Sequence, residues 1–167
     1  YGDEQILRDN YEMMKKWVDF LGRRAGKSKL KNRFGKNPYR KYIIDTGMDY
    51  GEWCEPGTDV MKIMMAAFKD GQPEVATAYY AYSSGILAKI SEFLGNGADA
   101  DKYKEISEKA TEAYRYLVLK DGHIRSDRQC EYVRPLAFCL LPEKEAVEAA
   151  KDLNELVVKN DYHLNTG

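Results

Sequence analysis

Histidine is nearly missing from this chain. His123 and His163 are the two present, and they lie far apart, so a histidine-centred metal site or nucleophilic triad is poorly supplied. Cysteine is scarce and odd in number. Cys54, Cys130 and Cys139 form no CxxC pair that would suggest zinc, and they read as free, partly buried thiols. An excess of one charge is also lacking: 26 basic against 27 acidic residues leave a net charge of −1. A chain without a basic stripe has little to offer nucleic acid phosphates. No apolar run approaches the roughly eighteen residues that a membrane-spanning helix needs. No charged-then-apolar leader opens the chain as given, which starts at Tyr1 and leaves an upstream leader open. Convincing strand alternation is absent too, with Tyr42-Ile43-Ile44 the one short candidate.

What remains is a chain of 167 residues, 44% apolar and 32% charged, which suits one folded domain with a real core. Apolar residues recur at helical spacing. Ile6, Leu7, Tyr11, Met14, Val18 and Leu21 share one face of a helix over 3–22, with Asp3 placed to cap it and Gly22 to end it. A basic, glycine-containing connector follows over 23–37. Further helices are expected over 58–68, over 73–94 starting on Pro73-Glu74, and over 99–119. Within 130–141 the apolar run holds Pro135, so a helix beginning near Arg134, or a kink, is expected there. Pro142-Glu143 opens a last helix, after which 162–167 trails off without a cap. The expected class is therefore all-α, built of antiparallel helical hairpins joined by short loops.

Two features exceed what such a scaffold needs. Thirteen tyrosines and two tryptophans are a large aromatic allotment. Rings with a polar tip suit carbohydrate, whose C–H faces stack while its hydroxyls seek hydrogen bonds; they equally fill wide helix–helix seams. The second feature is TGMDYGEWCEPG, residues 46–57, a glycine-rich interruption that carries Glu52, Trp53 and Glu55. Two nearby carboxylates can serve as the acid and base of a glycosidase. From the residues alone Glu52 and Glu55 are candidates for that pair, while a plain loop carboxylate and a packing tryptophan stay open for Glu52 and Trp53.

Several stretches in order resemble one family. Tyr1-Gly2-Asp3 with Tyr11-Glu12-Met13, the loop Gly51-Glu52-Trp53-Cys54-Glu55-Pro56-Gly57, the helix Glu74 to Ser83, Gln129 through Glu143, and His163-Leu164-Asn165-Thr166-Gly167 are similar to the central part of bacterial α-L-rhamnosidases, the six-hairpin glycosidases. The resemblance implies an (α/α)6 toroid of which residues 1–167, as an internal fragment, supply roughly half. It implies hydrolysis of terminal α-L-rhamnose by inversion, with a rhamnose-containing oligosaccharide or glycoside as partner and no cofactor or metal. It also places the general acid upstream and the general base downstream of this segment, so the catalytic residues are expected outside it and the segment alone is expected to be inactive. Glu52, Trp53, Gln129, His163, Tyr80 and Tyr132 are the expected sugar-binding residues. Half a toroid would leave apolar flanks in water, so self-association is expected. The alternatives are a six-hairpin enzyme for another sugar, or a helical-repeat interaction module whose loop is decoration. Either a cytoplasmic or a periplasmic or secreted location fits.

Overall fold

The computed structural model describes residues 3–25, 27, 37–47, 51, 59, 61, 65 and 72–164. The elements run as helix α1 (Gln5–Ala25), a 3-10 turn (Arg40–Tyr42), helices α2 (Pro73–Phe93) and α3 (Gly97–Val118), strands β1 (Leu119–Lys120) and β2 (His123–Ile124), and helices α4 (Gln129–Ala137) and α5 (Glu143–Lys159). The protein is thus all-α, with α2–α3 and α4–α5 as successive hairpins. None of these helices is long and apolar enough to cross a membrane. The helix expected over 58–68 lies outside the described residues except for Asp59, Met61 and Met65.

Helix α1 buries Tyr11, Val18, Leu21 and Ala25 along one stripe, and the Asp3 carboxylate accepts the Gln5 N–H at 2.8 Å near its start. It does not stop at Gly22. A Cβ at position 22 would lie 3.0 Å from the Tyr80 hydroxyl oxygen, so this glycine admits a neighbour inside the helix instead of ending it.

Pro73 and Glu74 occupy the first turn of α2, where a missing N–H costs nothing and a carboxylate complements the helix dipole. Gly95, with φ +79°, closes that helix while the Asn96 N–H reaches the Ser91 carbonyl at 2.8 Å. Helices α2 and α3 then pack through small residues. Ser107 donates its hydroxyl to the Ala81 carbonyl at 2.9 Å, and a Cβ on Gly85 would stand 3.0 Å from the same hydroxyl oxygen. Ser84 and Ser91, both fully buried in α2, donate to the Tyr80 and Leu87 carbonyls one turn back, each at 2.7 Å.

The turn read at Lys120–His123 is a minimal antiparallel hairpin, with Leu119 opposite Ile124 and Lys120 opposite His123. Asp121 and Gly122 both have positive φ, the backbone twist that suits a two-residue hairpin loop. Tyr42 ends the 3-10 turn, while Ile43 and Ile44 are extended or irregular and buried.

Helix α4 begins at Gln129 rather than near Arg134, carries Pro135 inside, and ends two residues later. Its end is closed by Cys139 in the left-handed region, with the Leu140 N–H on the Pro135 carbonyl at 2.9 Å. The end of α5 is likewise capped, against expectation: Asp161 and Tyr162 take positive φ, and the Tyr162 N–H reaches the Val157 carbonyl at 2.9 Å.

One apolar cluster joins α1, α2 and α3 through Tyr11, Val18, Ala78, Tyr80, Leu87 and Tyr103 among others. A smaller one joins β2, α4 and α5 through Ile124, Tyr132, Leu141 and Ala149, and Val118 packs against both.

Candidate functional site

The chain is tied down at residues 44–47, ahead of Trp53 in the sequence. The Arg24 guanidinium donates to the Thr46 carbonyl, and the buried Ile44 N–H donates to Thr77 Oγ1 at 3.1 Å. Gly47, with φ +89°, faces Arg24 so closely that a Cβ there would fall 2.5 Å from Nη2. Gly51 has φ +59°, and a Cβ on it would fall 1.5 Å from Gln72 Oε1. The positive φ at the first residue of the Gly51-Glu52-Trp53 motif favours glycine, and the Gln72 side chain, at the entrance to α2, lies against its backbone. Glu52 and Trp53 themselves lie outside the described residues, as do Cys54 and Glu55.

Two residues past Gln72, Glu74 projects from the first turn of α2. It meets Arg134 of α4 and Tyr114 of α3. Arg134 Nη1 donates to Glu74 Oε1 at 2.5 Å and also contacts Oε2, and the Tyr114 hydroxyl donates to Oε1 at 3.0 Å. Arg134 is only 5% exposed, and Tyr114 is fully buried. Burial pushes the Glu74 carboxyl above the ordinary carboxylate range, against the opposing pull of Arg134 and Tyr114. Burial raises the Tyr114 hydroxyl as well, helped by the neighbouring Glu74 charge. Sequence reading did not single out this cluster. The signal available was a lone cation, Arg134, inside an otherwise apolar run.

Gln129 opens α4 and is buried, and its Nε2 donates to the His163 carbonyl at 2.9 Å. The structure thus brings two of the expected site residues together, with the His163 side chain exposed. Tyr132 lies on the same helix, but its hydroxyl is held by the β2 exit, within 3.1 Å of the Ile124 and Ser126 carbonyls and 3.3 Å from the Ser126 amide. Tyr80 belongs to the other apolar cluster, packed against Gly22 of α1. Burial, with Tyr42 and Asp19 adding to it, pushes its hydroxyl up to about 12. Among the described residues, no group of three or more histidine, cysteine or carboxylate side chains could hold a metal ion.

The family model described as the bacterial alpha-L-rhamnosidase 6 hairpin glycosidase domain matches residues 1–167, the whole chain. The chain belongs to that family. An alpha-L-rhamnosidase of Formosa agariphila is 27% identical over 171 residues, covering 99% of this chain and 16% of that protein. The solved alpha-L-rhamnosidase from Dictyoglumus thermophilum superposes with a TM-score of 0.75 at 32% identity, covering 100% of this chain and 17% of its own. The Streptomyces avermitilis alpha-L-rhamnosidase complexed with L-rhamnose gives a TM-score of 0.73 at 27% identity, with 100% and 14% covered. This member of the rhamnosidase family therefore spans only 14% to 17% of the relatives' lengths. Its helical hairpins correspond to part of their six-hairpin domains.

Proposed function

We propose that this chain forms one side of the sugar-binding end of an inverting glycoside hydrolase that removes terminal α-L-rhamnose from a glycoside or oligosaccharide, within a longer protein. The observation that carries the reading is the family match along the whole chain, joined to a relative solved with L-rhamnose bound. Inversion needs two carboxyl groups about 6.5–9.5 Å apart with a water between them, one protonated and one ionised. Glu74, the buried carboxyl with a raised pKa, is an unsuitable acid because Arg134 and Tyr114 already engage it. The resemblance to the family assigns the acid and base to other segments of the longer protein, and on that reading the chain alone lacks activity. Glu52 accepts hydrogen bonds from sugar hydroxyls and Trp53 walls the apolar sugar face. Gln129 and His163 flank them, while Tyr80 and Tyr132, buried in separate clusters, act as packing residues and do not line the sugar. Alone, the chain covers by self-association the apolar groove that Met13, Trp17 and Ile86 line between α1 and α2.

The test compares the full-length protein with this chain on an aryl α-L-rhamnoside, following the anomer of the released sugar by NMR. Turnover by the full-length protein with inversion, no turnover by the chain, and a raised KM in full-length Trp53→Ala are expected. Turnover by the chain alone, lost in Glu52→Gln, would overturn the placement of the acid and base.

A further inference from the structure

We propose that Glu74 and Arg134 are a positioning pair that fixes the Gly51 side of the sugar-binding end against its Gln129 side, an inference that rests on the reading above. Each partner stands close in sequence to an expected sugar-lining segment. Glu74 follows Gln72, whose amide fills the space beside Gly51. Arg134 sits on the short helix that begins with Gln129, and Gln129 is locked to the His163 carbonyl at 2.9 Å. The pair spans 60 residues of chain and closes with one guanidinium nitrogen on both carboxylate oxygens, while Tyr114 of a third helix holds one of them.

Stability alone is a weak reason for such a pair. Desolvating two charges offsets most of their attraction, and apolar side chains of similar volume commonly do as well or better. What apolar side chains do not supply is direction. A charge-assisted N–H···O contact from a planar guanidinium fixes distance and angle together, more narrowly than a flexible ammonium and as a methionine does not. A shift of α4 relative to the start of α2 would move Gln129 and His163 against the Gly51 loop, and binding a sugar between them depends on that spacing.

The test uses the full-length protein with Arg134→Met, Arg134→Lys and the double variant Glu74→Leu/Arg134→Met. Arg134→Met leaves the largely buried Glu74 carboxylate without its counter-ion, so it lowers the Tm. The double variant recovers part of the Tm, because no charge is left without a partner although the buried Tyr114 hydroxyl loses its acceptor. If the pair positions the site, the double variant still shows KM raised about tenfold with kcat within about twofold of wild type, the pattern of lost binding geometry. Arg134→Lys retains the charge and falls between the two in KM. A double variant with partly recovered Tm and wild-type KM would reduce the pair to packing and overturn the proposal. A fall in kcat at unchanged KM would overturn it equally. Should the double variant not fold, Arg134→Lys decides: wild-type KM in that variant refutes the geometric role, and a raised KM with unchanged kcat upholds it. Wild-type protein is assayed first across several aryl glycosides. A preference for another sugar would sink the rhamnose reading, and the KM comparison would then run on that sugar, so the two claims fail separately.

Discussion

Thr77 offers a clean perturbation. It is fully buried on α2, and its Oγ1 accepts the N–H of Ile44, itself fully buried, at 3.1 Å. Thr77→Val keeps the shape and removes the acceptor. The Ile44 N–H is then left in a dry environment without its partner, at a cost of about 1–3 kcal/mol. That corresponds to a roughly five- to 160-fold rise in the unfolded-to-folded ratio. Thr77→Ser keeps the acceptor and removes one methyl group, at a cost of about 1 kcal/mol. Overall stabilities of the two variants can therefore overlap, and urea midpoints alone do not separate them. Amide hydrogen exchange does. In Thr77→Val the Ile44 amide should exchange faster by more than the change in global stability accounts for, whereas in Thr77→Ser its loss of protection should match the global change. A valine variant as stable as wild type, with Ile44 protection intact, would refute the view that this single bond anchors the buried Ile43-Ile44 segment against α2.

Two further outcomes follow from the same structure. Tyr80 is held neutral by burial with its pKa pushed up to about 12, so its contribution to stability is fully present below its ordinary value of 10 and declines as pH rises through 12. Urea midpoints should fall across that window in step with tyrosinate absorbance, and the Tyr80→Phe variant should show a shallower decline; an equal slope in both would count against the assignment. For self-association, Met13, Trp17 and Ile86 line an open apolar groove between α1 and α2, with Trp17 54% exposed. The isolated chain should sediment as a dimer or larger and Trp17→Glu should shift it toward monomer, so a monomeric wild type would refute the role given to this groove.

Local signals read well wherever the decisive physics was local. Pro73-Glu74 and Pro142-Glu143 open helices because their chemistry acts within a single turn. The stripe of Tyr11, Val18 and Leu21 was visible because burial on one face imposes its period on the sequence. Gly22 misled, since its role is set by Tyr80, a distant residue that needs the space a side chain would take. Helix α4 misled because Pro135 reads as the start of a helix or a kink, whereas the helix begins six residues earlier, runs through the proline despite its missing N–H, and stops two residues beyond it. The cap at Cys139 was hidden because left-handed backbone is usually marked by glycine or asparagine. As for the candidate site, the pairing of Gln129 with His163 and of Glu74 with Arg134 joins residues far apart in the chain. No periodicity records such a meeting, and only the odd placement of a cation in an apolar run hinted at one of them.

The two buried serines of α2 bear on how the molecule can assemble. Both hydroxyls donate to carbonyls of their own helix. Ser84 can therefore leave water without waiting for a matching group on another element, whereas Ser91 also meets the Tyr11 hydroxyl of α1 at 2.7 Å. Thr77 accepts the N–H of Ile44 from another part of the chain. Of these three hydroxyls, Ser84 is indifferent to which partner docks and in what alignment, while Ser91 and Thr77 check that α1 and the incoming strand of chain have each arrived in the correct frame.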